Sequence, residues 1–176
     1  MKDEALAARC RGLRLIVTDV DGVLTDGTVL LLEGGGEAKA FHVRDGLAVV
    51  LARRAGLETA VLSGRSSDAV TRRARELGIE TVRQGVADKG AAFAEVLAAL
   101  GLESHQAAYM GDDVSDLPAM LQAGLSAAPA DAAFEVRAQA YMVTDARGGH
   151  GCFREFVEAI LRARGEWDSL VAPPRA

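Results

Sequence analysis

Short apolar runs alternate along this chain with longer segments in which apolar residues recur every three or four positions. Runs rich in Val, Ile and Leu are typical of buried strands, and the longer segments are typical of helices with one apolar face. Strands joined by helices of this length form right-handed crossovers, so the pattern predicts an α/β fold: a Rossmann-like parallel sheet with helices on both faces. The predicted strands are LRLIVTD (13–19), LETAVLSG (57–64), IETVRQG (79–85), AAYMGDD (107–113), LSAAP (125–129) and AYMVT (140–144), and the predicted helices are DGLAVVLARRAG (45–56), SSDAVTRRARELG (66–78), DKGAAFAEVLAALG (88–101), DLPAMLQAG (116–124) and REFVEAILRARG (154–165).

Glycines punctuate this pattern. A glycine after an apolar-periodic segment predicts a left-handed residue that closes a helix. One segment, GTVLLLEGGGEAKAFHV (27–43), has two strand-like halves around three consecutive glycines, which predicts a β-hairpin flap. The predicted helix-closing glycines are Gly56, Gly78, Gly101, Gly124 and Gly165.

Length and composition predict one globular domain. The 176 residues, 49% of them hydrophobic, are enough for one ordinary core but not for two. We expect the domain to span 1–165. The remaining residues, 166–176, contain prolines and lack periodicity, so we expect a loose C-terminal tail unless a partner orders it.

Net charge, hydropathy and cysteine content indicate which kinds of partner and which cellular compartment to expect. A net charge of −5 gives no electrostatic basis for binding nucleic acid. The chain has no apolar run long enough for a membrane span, and its first residues lack the apolar core of a signal peptide. Two distant cysteines, Cys10 and Cys152, suggest reduced thiols rather than a disulfide framework. We therefore expect a cytoplasmic protein without nucleic-acid or membrane partners.

Polar residues follow four of the predicted strands, at the edge of the sheet where parallel α/β proteins bind ligands. Taken singly, each has an ordinary interpretation: Asp21 in a turn, Ser63 and the GDDVSD segment in helix caps, and Lys89 on the surface. Together they place acids, a hydroxyl group and a lysine at one edge, which favours a shared site. The residues concerned are Asp19 and Asp21, Ser63, Lys89, and Asp112, Asp113 and Asp116.

This set of residue types predicts magnesium-dependent phosphoryl transfer. Carboxylate oxygens select a hard cation, and few protein ligands with room for water suit Mg²⁺. A carboxylate attacks a phosphate only if the phosphate charge is neutralised, which Mg²⁺ and Lys89 can do. We expect Asp19 to form an aspartyl-phosphate, Asp21 to act as general acid and then base, and Ser63 to bind a phosphate oxygen.

These residues resemble the four motifs of the haloacid dehalogenase superfamily of phosphatases. DVDGVLTDG is similar to the first motif, Ser63 with Gly64 to the second, Lys89 to the third, and GDDVSD to the fourth. The resemblance implies metal ligation by Asp19, Asp21 and Asp112, with Asp21 using its backbone carbonyl. It also implies phosphate contacts from Ser63, Gly64 and Lys89, and support from Asp113 and Asp116 behind the metal ligands.

The absence of room for a cap domain, with only a hairpin at 27–43, indicates the capless branch of this superfamily. Within it, FHVRDG, SGRSS, RARELGIETVRQGVADKG and GGHGCFRE resemble the 3-deoxy-D-manno-octulosonate 8-phosphate phosphatases, enzymes of lipopolysaccharide sugar synthesis. The resemblance implies a phosphorylated eight-carbon sugar acid as substrate. It also implies a homo-oligomer, in that family a tetramer formed by the hairpins, in which one subunit's tail helps to close a neighbour's site.

The same resemblance implies a set of contacts with the sugar. Arg65 is expected to face the substrate carboxylate, for which a guanidinium fork is well suited. Related phosphatases of nine-carbon sugar acids carry glutamate where this chain has Arg65, which favours the eight-carbon substrate. Val50 and His150 stand where some relatives carry arginine. The remaining expected contacts are Asp21, His42, Val43, Arg44, Asp45, Gly46 and Arg73.

Three other interpretations remain at the level of sequence. A phosphatase for the nine-carbon sugar acid phosphate would use the same motifs. A receiver-type signalling domain also carries acids, a hydroxyl group and a lysine at strand ends, but its phosphoacceptor should end a middle strand. A non-catalytic interaction module of the same fold would have had no reason to retain Asp19, Asp21, Lys89 and Asp112 together.

Overall fold

Six parallel strands form the central sheet of the computed structural model, which describes residues 2–172. Their order across the sheet is β5-β4-β1-β6-β7-β8, and a separate two-stranded sheet pairs β2 with β3. The α/β fold predicted from the sequence is confirmed. The strands are β1 (Leu15–Thr18), β2 (Leu30–Leu31), β3 (Glu37–Ala38), β4 (Glu58–Leu62), β5 (Thr81–Arg83), β6 (Ala107–Met110), β7 (Leu125–Ala128) and β8 (Met142–Val143), and the helices are α1 (Lys2–Arg11), α2 (Val43–Arg54), α3 (Asp68–Leu77), α4 (Lys89–Leu100), α5 (Leu117–Met120), α6 (Phe134–Gln139), α7 (Cys152–Ala163) and α8 (Trp167–Val171).

The strand order reverses beside β1. From β1 the chain proceeds through β4 to the edge strand β5, and then returns to β6 on the other side of β1. β1 pairs in register with both neighbours, Val17 lying opposite Ala60 of β4 and Tyr109 of β6. Such a reversal opens a crevice beyond the carboxyl ends of the strands. The residues that follow β1, β4 and β6 therefore converge there.

The sheet separates two hydrophobic cores. Because successive strand residues point to opposite faces, Ile16 of β1 enters one core while Leu15 and Val17 enter the other. The Ile16 side is covered by α1, α2, α3, α7 and α8. The opposite side is covered by α4, α5 and α6, where Phe93 packs edge-on against Tyr109. Burial of both faces explains why the strand sequences are almost wholly apolar.

Helix ends follow the glycine pattern in part. Gly78 and Gly101 are left-handed caps of α3 and α4, as predicted. The prediction for Gly124 is wrong, because α5 ends at Met120 and the glycine belongs to the following turn. A Cβ atom at Gly124 would lie 2.6 Å from the backbone oxygen of His105, so the glycine allows a close approach of two chain segments rather than a helix cap.

The predicted hairpin is present and no cap domain accompanies it within residues 2–172. Leu30 pairs with Ala38 and Leu31 with Glu37 around the three-glycine turn. Leu31 is 79% exposed, and its neighbours Leu30 and Leu32 are also exposed. The hairpin therefore presents an apolar outer surface, while β3 faces the body of the protein.

Both ends of the described chain are more ordered than the sequence indicates. The helix α1 has no counterpart in the predictions, because few of its side chains enter the core: Cys10 is fully buried and Leu6 partly so. Beyond Gly165, α8 packs on α7, and Trp167 is buried there. The expected loose tail is thus a packed helix over Trp167–Val171, and its last residues, 173–176, lie outside the described residues.

The cysteines and the lengths of the helices can be compared with the expectations from the sequence. Cys10 and Cys152 are both buried and unpaired. Among residues 2–172, the structure contains no helix with the length and apolar character that crossing a membrane requires.

Candidate active site

Four strand ends contribute to one cleft of about 320 Å³. Asp19 follows β1, Ser63 follows β4, Lys89 begins α4 after β5, and Asp112 follows β6. The structure thus brings together the acids, hydroxyl group and lysine that the sequence places at successive strand ends. The cleft is lined by Asp19, Asp21, Gly27, Ser63, Gly64, Arg65, Lys89, Asp112, Asp113 and Ser115.

Lys89 is the buried cation of this cleft. Its Nζ atom lies 2.8 Å from Oδ2 of Asp19 and 2.7 Å from Oδ1 of Asp116. All three side chains are at least nine-tenths buried. Burial opposes the charge on Lys89, but Asp19 and Asp116 outweigh that effect and raise its pKa, so the lysine stays protonated.

Asp116 is held in place by four donors. Besides Lys89, the hydroxyl group of Tyr109 donates to its Oδ1 atom at 2.8 Å. The backbone N–H groups of Asp112 and Asp113 donate to its Oδ2 atom at 3.2 and 3.3 Å. Both oxygens of Asp116 are therefore engaged, and the side chain joins Lys89 to the backbone of the loop that carries Asp112. The side chain of Asp113 accepts from the N–H group of Val114 and begins a short 3-10 helix.

Negative charge is in excess at the inner end of the cleft. Burial, with Asp116 nearby, raises the pKa of Asp19 to about 6 despite the contact with Lys89. Burial, with Asp19 and Asp116 nearby, raises the pKa of Asp112 to about 8. A single lysine does not balance the buried carboxylates of Asp19 and Asp116 together with the half-buried carboxylate of Asp112, and the uncompensated charge favours either a proton or a bound cation.

The arrangement of oxygens fits a hard divalent cation. Carboxylate oxygens of Asp19, Asp112 and Asp116 lie within 4.8 Å of one another. The Oδ1 atom of Asp19 is buried and accepts no hydrogen bond from any residue among 2–172. Since both oxygens of Asp116 are engaged, Asp19 and Asp112 are the carboxylates available as ligands. A site with few protein ligands and open volume suits Mg²⁺, which retains several waters.

Gly22 makes room for Asp112. It has a φ of +86°, and a Cβ atom at this position would lie 2.0 Å from Oδ2 of Asp112. Any side chain would displace this carboxylate and strain the turn. The glycine of the Asp-Gly pair is therefore required by the position of Asp112, as well as by the turn.

Ser63 and Gly64 form the floor of the cleft on the β4 side. Ser63 is 2% exposed, and its N–H group donates to the Arg83 carbonyl at the end of β5. Its hydroxyl oxygen accepts from the N–H group of Arg65 at 3.3 Å. The hydroxyl hydrogen is thus free to donate into the cleft, the geometry required for binding an anionic oxygen.

A second charge cluster, which the sequence analysis missed in part, surrounds Asp21. Lys39, just after β3, contacts Oδ1 of Asp21 and lies 3.4 Å from Oε1 of Glu37. Arg65 lies 2.8 Å from Oε2 of Glu37 and 3.5 Å from Oδ2 of Asp21. We call these four residues the outer ring. Lys39 could have been singled out as the only lysine in the hairpin, but nothing in the sequence places it beside Asp21.

The loop expected to bind the sugar does not line this cleft. His42 is the N-cap of α2, and its Nδ1 atom accepts from the N–H group of Arg44 at 3.3 Å. Val43 and Arg44 are exposed. Asp45 is 3% exposed and accepts from the N–H group of Arg154 at the start of α7. Sugar contacts from these residues remain a prediction, whereas their capping contacts are present.

Arg73 also lies away from the cleft. Its guanidinium group stacks over Phe41 at 5.9 Å and pairs with Glu76 at 3.0 Å. It packs against Gly46, where a Cβ atom would lie 2.3 Å from Nη2 of Arg73. Val50 is partly buried on α2, and His150 is exposed with Nδ1 2.7 Å from the Gly148 carbonyl oxygen. Arg73 and Gly46 thus pack together inside the chain.

The fold and the cleft identify the class of protein. A profile of the haloacid dehalogenase-like hydrolases matches residues 36–124. A crystal structure of 3-deoxy-D-manno-octulosonate 8-phosphate phosphatase from Moraxella catarrhalis, in complex with magnesium, phosphate and the sugar acid, matches with a TM-score of 0.92 at 37% identity. The match covers 94% of this chain and 95% of that chain. This chain is therefore a haloacid dehalogenase-like hydrolase by fold.

Two related enzymes show to which family of haloacid dehalogenase-like hydrolases this chain belongs. The 3-deoxy-D-manno-octulosonate 8-phosphate phosphatase of Yersinia pestis is 41% identical over 89% of this chain and 83% of its own length. The enzyme of Escherichia coli strain K12 is 40% identical over 92% of this chain and 86% of its own length. The chain belongs to the family of the 3-deoxy-D-manno-octulosonate 8-phosphate phosphatases.

Proposed function

We propose that this protein hydrolyses 3-deoxy-D-manno-octulosonate 8-phosphate to the free sugar acid and inorganic phosphate. The observation that carries the proposal is the contact of the buried Lys89 with Asp19, beside an Asp19 oxygen that has no partner within residues 2–172. Such an oxygen can attack phosphorus while the lysine offsets the phosphate charge. Family membership supplies the substrate.

Asp19 is the nucleophile in this proposal. One of its carboxylate oxygens forms a bond to phosphorus as the bond from phosphorus to the sugar oxygen breaks, which yields an aspartyl-phosphate and a sugar alkoxide. Lys89 stabilises the charge on the transferring group, and the Ser63 hydroxyl group and the Gly64 backbone bind its other oxygens. Water then attacks phosphorus and releases Asp19 and inorganic phosphate.

Asp21 transfers the protons in both steps. It donates a proton to the departing sugar oxygen, and afterwards it accepts a proton from the attacking water. It lines the same cleft as Asp19 and lies 3.5 Å from the half-exposed Arg65. Arg65 is then available for the carboxylate of the sugar acid, to which a guanidinium group binds with two parallel hydrogen bonds.

The protein uses Mg²⁺, and the residues present fit that ion. Asp19 and Asp112 would hold it through carboxylate oxygens and Asp21 through its backbone carbonyl. Asp113 and Asp116 support these ligands, since Asp116 accepts from the backbone N–H groups of the Asp112 loop. When bound, Mg²⁺ neutralises phosphate charge and relieves the repulsion among the buried carboxylates.

A panel of sugar phosphates, assayed for phosphate release with Mg²⁺, tests the proposal. We expect fast release from 3-deoxy-D-manno-octulosonate 8-phosphate and a loss of about 10³-fold or more in the Asp19→Asn variant. Faster release from a nine-carbon sugar acid phosphate would reassign the substrate. No release from any phosphate ester would leave an interaction module of the same fold.

We also propose that the protein is a homotetramer assembled through its hairpins. The support is the exposure of Leu30, Leu31 and Leu32 on a two-stranded sheet that cannot bury its outer face alone. The Leu31→Asp variant should lower the molar mass measured by light scattering, while the matched variant Leu121→Asp, an exposed leucine outside the hairpin, should leave it unchanged. A monomeric wild-type protein would contradict this proposal.

We also propose that this hydrolysis is a step of lipopolysaccharide sugar synthesis and that it takes place in the cytoplasm. Two buried, unpaired cysteines suit a reducing compartment. Fractionation of cells that contain the tagged protein would test this location, and recovery from the periplasmic fraction would contradict it.

A further inference from the structure

We propose that Lys39 is a positioning residue that orients the Asp21 carboxyl group for proton transfer. The inference rests on the proposed function, in which Asp21 protonates the departing sugar oxygen. It adds a role for a hairpin residue that lies outside the four motifs. The contact between Lys39 Nζ and Asp21 Oδ1 carries it.

The outer ring is closed and its charges alternate. Asp21 contacts Lys39, Lys39 contacts Glu37, Glu37 contacts Arg65, and Arg65 returns to Asp21. With Asp21 ionised, two carboxylates meet two cations and the ring is electrically neutral. When Asp21 carries the proton that it donates, the ring holds one excess positive charge. A ring of this kind restricts each carboxylate to one orientation, because rotation of either one separates charges on both sides.

The two oxygens of Asp21 have different surroundings. Oδ1 contacts Lys39 and lies 3.5 Å from the hydroxyl group of Thr25. Oδ2 is buried in the free protein, accepts no hydrogen bond from any residue among 2–172, and lies 3.5 Å from Arg65 Nε. Oδ2 is thus the oxygen left to carry a proton to the substrate. By occupying Oδ1, Lys39 determines which oxygen performs the transfer.

Burial indicates that Lys39 acts through Asp21 and not on the substrate. Its side chain is 2% exposed, whereas that of Arg65 is 49% exposed. Asp21 and Arg65 line the cleft, and Lys39 lies behind them on the hairpin side. Glu37 keeps Lys39 in place, since it also binds Arg65.

The experiment compares two leaving groups in the same enzyme. Departure of a sugar alkoxide requires a proton from Asp21, whereas the 4-nitrophenolate ion is a weak base that departs without one. The value of kcat/KM reports the steps up to departure of the leaving group, so it isolates this requirement from the later hydrolysis of the aspartyl-phosphate. Both substrates are assayed at saturating Mg²⁺.

We expect Lys39→Met to lower kcat/KM for the sugar phosphate about 30-fold and for 4-nitrophenyl phosphate by less than about threefold. Lys39→Arg should recover most of the loss, because it restores a cation to the ring. The matched control is Arg72→Met, which removes an exposed cation from the same side of the hairpin without touching the ring. It should leave both values unchanged.

A double-mutant cycle completes the test. In the Asp21→Asn background, Lys39→Met should lower kcat/KM for the sugar phosphate by no more than about twofold, because the group that it positions is already gone. Equal losses for both substrates in Lys39→Met, or an undiminished loss in the Asp21→Asn background, would overturn the proposal. A wild-type enzyme that hydrolyses only 4-nitrophenyl phosphate would instead overturn the proposed substrate, and the two failures are distinct.

Discussion

Two buried lysines each lie between two carboxylates, Lys89 in the cleft and Lys39 behind it on the hairpin side, and their surroundings differ in charge. Lys89 lies between Asp19 and Asp116, with Asp112 as a third acid nearby. Lys39 lies between Asp21 and Glu37, with Arg65 as a second cation. The inner cluster around Lys89 therefore has an excess of negative charge, whereas the outer ring is balanced.

This difference separates the two tasks of the site. An excess of buried negative charge is unfavourable unless a proton or cation offsets it, so the inner cluster is complete only with a ligand. A balanced ring needs no ligand and can hold the same geometry in the free enzyme. In the proposed function, the inner cluster provides binding and attack, and the outer ring provides orientation.

The largest expected effect is that of Lys89→Met. It leaves Asp19 and Asp116 without their shared cation, so we expect a loss of about 10³-fold in kcat and about 3–5 kcal/mol in the free energy of unfolding without Mg²⁺. Phosphate release and urea denaturation measure the two quantities. Lys39→Met should reduce stability much less, since Arg65 still pairs with both acids of the ring. Equal losses of stability in the two variants would contradict the contrast between the clusters.

The next effect is a pH dependence confined to the metal-free protein. The folded chain holds protons on Asp19 up to about pH 6 and on Asp112 up to about pH 8, while an unfolded aspartate releases its proton near 3.8. The folded state thus binds more protons over this range, and the free energy of unfolding should fall as the pH rises from about 4 to about 8. Asp19 alone accounts for about 3 kcal/mol of the fall.

Urea denaturation with a chelator at pH 5, 6, 7 and 8 measures this fall, and saturating Mg²⁺ should flatten it. The Asp112→Asn variant serves as the control, because it removes the group with the higher pKa and should abolish the part of the fall between pH 6 and 8. A stability that rises with pH in the metal-free protein would show that the inner cluster is not deficient in positive charge.

A smaller effect is expected for Gly22→Ala. Its Cβ atom would displace Asp112, and we expect about tenfold weaker Mg²⁺ binding by calorimetry. The matched control is Gly35→Ala in the hairpin turn, where φ is +94° and no atom lies within 4 Å of the added Cβ. Both substitutions strain the backbone, but only the first should weaken the metal site. Equal Mg²⁺ affinity in the two variants would contradict the steric argument.

The inner cluster could be predicted from the sequence because its members follow strands. A buried apolar run that ends at Asp19 or at Ser63 predicts a strand and also shows which residue follows its carboxyl end. In a parallel sheet the carboxyl ends of the strands lie along the same edge, so these residues are expected to be close together. The central fold was predicted for the same reason. The helix α1, with few buried side chains, and the five-residue helix α8, held by Trp167, lack a strong pattern and were not expected.

The outer ring could be predicted only in part, because Lys39 and Glu37 reach Asp21 through the fold of a hairpin. Their distance from Asp21 depends on how the hairpin packs on the rest of the protein, and the local sequence pattern does not predict that packing. In the loop FHVRDG, by contrast, the sequence predicts sugar contacts because it resembles a family motif. Within this chain, however, Asp45 is buried against α7 and Arg73 packs on Gly46. Residues that depend on the placement of a loop therefore require a structure.

The smallest expected effect concerns Tyr109, whose hydroxyl group supports the inner cluster from within the sheet. It donates to Oδ1 of Asp116 at 2.8 Å, an acceptor that Lys89 also contacts. Tyr109→Phe removes one donor to a buried carboxylate and leaves the ring of the side chain packed against Phe93, so we expect a loss of about 1–2 kcal/mol in the free energy of unfolding. Urea denaturation in the presence of chelator measures this loss.

The control for this variant is Tyr141→Phe, at an exposed tyrosine whose hydroxyl group has no hydrogen-bond partner among residues 2–172. It should leave stability unchanged. Because Tyr109 acts on Asp116 and through it on Lys89, Tyr109→Phe should also lower kcat severalfold, with KM unchanged. If neither stability nor kcat changes, then Lys89 and the two backbone N–H groups suffice to hold Asp116, and the excess of negative charge alone distinguishes the inner cluster from the outer ring.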